Sequence, residues 1–191
     1  MSICSSNITK DNTPIKKSES QKLPIFEDIE LIDSLSSLIE DIIKRNMIKK
    51  KLLKKSVFFC ENSKIPEISI HNYIYFIYTY LNLEFSSILL TLISINRFLE
   101  LTKDHLSKNN FYKLFITSCL LNSKINEEPL NDYDLYAKAG RIDKNELILL
   151  ENEYFKLIDY KLFVNEDIYK RYYDFIKERA IKSTKKFISK K

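Results

Sequence analysis

The side chains able to do chemistry are few and scattered. The histidines His71 and His105 and the cysteines Cys4, Cys60 and Cys119 share no metal-ligand or redox spacing. Neither a zinc site nor a disulfide framework is therefore expected. Serine, histidine and aspartate are all present, but nothing in their spacing signals a catalytic triad, and neither histidine is given a role. The acid pairs Glu127–Glu128 and Asp132/Asp134 fall in a loop or at a helix start, where capping explains them. A single glycine, Gly140, excludes the Gly-rich dinucleotide loop, the Walker A loop and the Gly-x-Ser-x-Gly elbow, each of which needs at least two. No catalytic residue, metal or cofactor is expected.

With 1 glycine and 4 prolines in 191 residues, the chain lacks the residues that make positive-φ turns, which points to helices. The formal net charge is +5, yet residues 56 to 159 carry 10 basic and 14 acidic side chains while residues 160 to 191 carry 10 and 4. An acidic centre with basic flanks disfavours a nucleic-acid-binding core. Isolated thiols and the absence of an apolar leader after Met1 are the pattern of an intracellular protein, of the cytoplasm and/or nucleus.

Residues 1 to about 24 are polar without an apolar period and are expected to be a disordered tail. From Phe26 onward Ile29, Ile32, Leu35, Ile39, Ile42 and Ile43 recur at helical spacing, which predicts a helix over 27–47. The basic cluster KKKLLKK at 49–55 follows, read as a solvated linker, with a nuclear-import or acidic-surface patch as the functional alternative. Between Glu67 and Arg97 the sole charge is Glu84. The two halves of that stretch are interrupted by polar residues and fall short of the roughly 20 apolar residues a membrane span needs. They predict buried helices over 68–81 and 86–101, and no transmembrane segment. A helix over 109–124, uncharged between Lys113 and Lys124 and dotted with small residues, is expected at the centre.

In the short segment over 131–140, Gly140 sits where a helix C-cap wants a positive-φ residue. Asp143 and Glu146 resemble a capping box opening a helix to about Tyr160. In it Leu147, Leu150, Tyr154 and Ile158 form one face, and Ile148, Glu151, Phe155 and Leu162 lie around another. A last helix over 165–182, capped near Asn165, is expected to bury Ile168, Tyr172, Phe175 and Ile176. The basic tail after it is expected to fray.

These elements leave surplus apolar face around Leu121, Ile125, Ile148 and Phe155, with Lys124 and Glu151 beside it. The segments Ile-Ser-Ile-His-Asn-Tyr-Ile (68–74), Ile-Asn-Arg-Phe-Leu (95–99), Phe-Ile-Thr-Ser-Cys-Leu-Leu-Asn-Ser-Lys (115–124), Asn-Asp-Tyr-Asp-Leu-Tyr-Ala-Lys-Ala-Gly (131–140) and Glu-Leu-Ile-Leu-Leu-Glu (146–151) resemble, in order, the single-box P/U-type cyclins of the yeast phosphate-pathway kind. The resemblance implies an all-α fold: a five-helix cyclin box over 67–162, preceded by a helix and basic linker over 25–66 and followed by a helix and basic tail over 163–191. It implies a regulatory subunit that binds and activates a cyclin-dependent kinase as a heterodimer, with no active site of its own.

In cyclins a lysine ending the third box helix and a glutamate in the fifth meet the kinase's PSTAIRE-type helix. The matching positions are Lys124 and Glu151, with Leu121, Ile125, Phe155 and Leu162 as the apolar pocket and Ile148 beside it. The family's Asp-Arg step reads Asn96-Arg97, and its doubled glycine reads Gly140-Arg141. The competing reading is a non-activating helical adaptor that keeps the fold and binds another protein or an acidic membrane surface. Physically, Lys124 must snorkel across apolar surface, and Glu151 interrupts an apolar face, a costly place unless something charged or N–H-rich docks there. Replacing both by alanine is thus expected to spare the melting temperature and remove kinase binding.

Overall fold

The computed structural model describes residues 26–47, 56–61, 65–126 and 132–188, and the regular elements among them are seven helices with no strand. They are α1 (Phe26–Met47), α2 (Ile70–Tyr80), α3 (Phe85–Thr102), α4 (Lys108–Asn126), α5 (Tyr133–Gly140), α6 (Lys144–Leu157) and α7 (Glu166–Ile188). Five helices thus stand between one flanking helix on each side, the all-α arrangement that the resemblance implied. The expected tail over 1–24 and the basic cluster over 49–55 lie outside the described residues.

Local chemistry sets the boundaries. Ser69, extended at ψ 155°, accepts the Asn72 N–H and starts α2. Asp143 accepts from the N–H groups of Asn145 and Glu146 and starts α6, but Glu146 does not complete a capping box. Its carboxylate pairs instead with Lys113 of α4 at 2.7 Å. Asn165 caps α7 through the Ile168 N–H. Acids in the first turn of α1 (Glu27, Asp28) and bases in its last (Lys44, Arg45) complement the helix dipole.

Helix α4 is the centre, packed against α3, α5 and α6, while α1 packs on α2 and α7. Phe111, Leu114, Phe115, Ile116, Thr117, Ser118, Leu120 and Leu121 of α4 are fully buried. Its small residues bring α3 close enough for direct polar contacts. Ser118 Oγ donates to the Thr91 carbonyl at 3.1 Å, and Asn122 Nδ2 donates to Ser94 Oγ at 3.0 Å. Helix α3 is, at 18 residues, long and apolar enough to cross a membrane, but Ile88, Leu89, Thr91, Leu92, Ile93 and Ile95 are buried inside this bundle.

Four further expectations are corrected, one of them at the C-terminal end, where α7 runs on to Ile188 through residues 183–188 that were expected to fray. Gly140 is not the positive-φ cap: it is the last residue of α5, and Arg141 takes the left-handed conformation (φ 54°, ψ 42°) that ends the helix. A Cβ on Gly140 would sit 2.7 Å from Ile116 Cγ1, so glycine is there for the close approach of α5 to α4. Helix α6 stops at Leu157, with Ile158–Tyr160 in a turn whose Asp159 and Tyr160 have φ of 52° and 58°. In α7, Ile176 is fully buried and Ile168 and Tyr172 half-buried, but Phe175 is 55% exposed, because the inward row runs through Tyr169, Tyr172, Tyr173, Ile176 and Ala180.

Candidate functional site

Lys124 stands in the last turn of α4, where a cation suits the helix dipole. Glu151 projects from the middle of α6 and is only 5% exposed. Folding brings them together: Lys124 Nζ lies 2.5 Å from Glu151 Oε1. A third group completes the cluster. Tyr133, the first residue of α5, accepts from Lys124 Nζ at 2.6 Å and donates to Glu151 Oε2 at 2.5 Å, and its ring centroid is 4.0 Å from the ammonium. Asp132 holds the start of α5 in place by accepting the Leu135 N–H.

The expectation that Glu151 needs an external donor is therefore corrected, since two donors within the chain supply the hydrogen bonds that its burial demands. Burial pulls the Lys124 pKa down, but the hydrogen bonds to Glu151 and Tyr133 and the charge of Glu151 outweigh it and hold the ammonium above the ordinary lysine range. The side chain of Lys124 remains 20% exposed against 7% for Glu151, so the lysine is the member of the pair that a partner can reach.

The other expected residues divide by depth. Ile125 is half exposed, and Ile148 and Phe155 are half-buried, Phe155 stacking on Tyr160 at 5.7 Å between ring centroids. Leu121 and Leu162 are buried, so neither lines an open apolar pocket.

Sequence reasoning missed the contacts of four residues. Tyr133 lies outside any apolar period, and its one signal is its place immediately after the helix-capping Asp132. Arg97 donates through one guanidinium nitrogen to the carbonyls of Lys161 (2.6 Å) and Phe163 (3.0 Å), pinning the segment between α6 and α7. Its neighbour Asn96 donates to the Glu100 carboxylate (Oε1) and to the Tyr172 hydroxyl, joining α3 to α7. His71, given no role from sequence, reaches Asp33 of α1 at 2.6 Å.

Comparison with known proteins gives one consistent answer. A family profile described as Cyclin matches residues 2–162. Cyclin-U2-1 of Arabidopsis thaliana is 30% identical over 147 residues, covering 74% of this chain and 65% of that protein. Cyclin-U3-1 of the same plant is 31% identical over 137 residues, covering 71% and 62%. Cyclin-P3-1 of Oryza sativa subsp. japonica is 26% identical over 133 residues, covering 70% and 54%. The chain thus spans less than two thirds of the length of these relatives.

Proposed function

The chain belongs to the cyclin family, on its P/U-type branch, and from that premise we propose that it binds and activates a cyclin-dependent protein kinase as a non-catalytic regulatory subunit, inside the cell. The observation that carries this reading is the Lys124–Glu151 ion pair at the meeting of α4 and α6, with half-exposed Ile125 and half-buried Ile148 and Phe155 around it. An ammonium has three N–H donors, and Glu151 and the Tyr133 hydroxyl take two, so one is left for the main-chain carbonyls of a partner helix. The apolar residues beside it exclude water from that contact and strengthen it. No kinase chemistry falls to this chain. Its part is to hold the kinase's PSTAIRE-type helix in place.

The test is reconstitution of the purified full chain with a cyclin-dependent kinase, measuring association and phosphorylation of a protein substrate. Lys124→Ala with Glu151→Ala is expected to weaken association roughly 30-fold or more, as truncating a desolvated charge pair does, and to remove activation while helix content by circular dichroism stays as in wild type. A double variant that activates the kinase normally would overturn the assignment. A wild-type chain that binds the kinase without activating it would favour the adaptor reading.

A further inference from the structure

Counting donors and acceptors around Glu151 identifies a residue that neither charge nor periodicity singles out. The carboxylate has two oxygens, and each receives one donor: Oε1 from the Lys124 ammonium and Oε2 from the Tyr133 hydroxyl. That hydroxyl, in turn, accepts from the same ammonium at 2.6 Å. A phenol has one proton to give, and here the carboxylate receives it. The three groups therefore form a closed ring of hydrogen bonds drawn from α4, α5 and α6.

An ion pair between a lysine and a glutamate alone would leave the four-carbon lysine stem free to swing about one contact. With the phenol as second anchor and its ring 4.0 Å from the ammonium, the nitrogen is fixed at two points. We propose that Tyr133 is the positioning residue of this site: its hydroxyl locks the Lys124 ammonium onto Glu151, so that one N–H remains in a fixed place for the partner's main chain. This rests on the kinase-docking reading above for the identity of the partner, though not for the lock itself. The elevated lysine pKa, to which the Tyr133 hydrogen bond contributes after that of Glu151, agrees with it.

The test uses the full chain as wild type, Tyr133→Phe, Lys124→Met and the double variant. Tyr133→Phe removes one oxygen and keeps the ring, and circular dichroism and thermal melting of each variant give the structural baseline. The first readout needs no partner: the Lys124 ammonium protons in 15N-lysine-labelled protein, assigned by their loss in Lys124→Met. The lock predicts a slowly exchanging ammonium signal in wild type and clearly faster exchange in Tyr133→Phe. The second readout is affinity for a purified cyclin-dependent kinase. Tyr133→Phe is expected to lower it about 10- to 150-fold, the range for one hydrogen bond to a charged group. In the Lys124→Met background the same change should have almost no effect, because the group it positions is gone.

Equal losses in both backgrounds, or unchanged ammonium exchange in Tyr133→Phe, would overturn the proposal. If the wild-type chain binds no cyclin-dependent kinase, the kinase reading falls, and the exchange result alone then decides whether Tyr133 holds the pair.

Discussion

Glu151 is a carboxylate at 5% exposure held by two donors, and what happens when one is taken away depends on which charges remain. Lys124→Ala leaves the carboxylate buried with the phenol alone. We expect a loss of about 2 to 4 kcal/mol in urea-unfolding free energy, toward the lower end of the range for a broken buried pair because Tyr133 still donates. Adding Glu151→Ala removes the stranded charge, so the double variant should be no less stable than Lys124→Ala alone, and non-additivity of at least about 1 kcal/mol is expected.

The His71–Asp33 contact predicts a pH effect at the same scale. Partial burial lowers the His71 pKa, but hydrogen bonds to Asn72 and Asp33 and the charges of Asp33 and Glu40 more than offset it, so the folded value lies above the ordinary one. Such a group stabilises fully below its unfolded pKa of about 6.5 and loses that contribution as pH rises through the folded value. Both side chains are well exposed, at 42% and 57%, so the effect is only a few tenths of a kcal/mol after screening. Unfolding at pH 6 and pH 8 should show wild type losing more stability than Asp33→Asn across that interval. Equal pH dependence in the two proteins would remove His71 as the cause.

The turn between α5 and α6 shows at the scale of elements how two adjacent residues divide one task. Gly140 gives up its side chain so that α5 can lie against Ile116 of α4, while Arg141 accepts the left-handed backbone and donates its N–H back to the carbonyls of Ala137 and Lys138. The two positions should therefore answer oppositely to mutation. Gly140→Ala drives a methyl into a fully buried isoleucine with nowhere to move and is expected to cost about 1 to 3 kcal/mol. Arg141→Gly relieves a positive-φ non-glycine residue and should be neutral or up to about 1 kcal/mol stabilising. Chemical denaturation of the two variants measures both signs.

Across the whole molecule, the flanking helices belong to the same core as the five between them. Ile32, Leu35 and Ile39 of α1 and Ile176 of α7 are fully buried in one continuous cluster with Ile74, Ile77 and Leu120. The two flanks are tied together as well, Ser34 Oγ donating to the Ile176 carbonyl and Arg179 meeting Asp41 at 2.6 Å. Ile176→Ala should therefore destabilise the entire chain, by about 2 to 4 kcal/mol. Circular dichroism and tyrosine fluorescence should shift together in a single transition, as one cooperative unit requires. Two separated transitions would mean that α7 melts independently of the rest.

Helix positions, the central place of α4, the capping roles of Asp143 and Asn165 and the buried row Leu147, Leu150, Tyr154 and Ile158 follow from the sequence, because they rest on interactions within four residues along the chain and on apolar spacing. The ordered motifs from Ile68 to Glu151 pointed to the family on the same footing. Only the tertiary structure decided what lies between segments distant in sequence. It seats Phe58 of the loop before α2 edge-on against Phe98 and Tyr154, although nothing in its neighbours predicts burial. It gives Gly140 a packing role in place of a turn role. It also closes Lys124, Tyr133 and Glu151 into one hydrogen-bonded ring, satisfying within the chain a buried charge that, along the sequence, pointed only outward. The physical reason is that a hydrogen bond or steric contact between helices depends on their relative placement to a fraction of an ångström, and residue spacing records only which face of its own helix a side chain occupies.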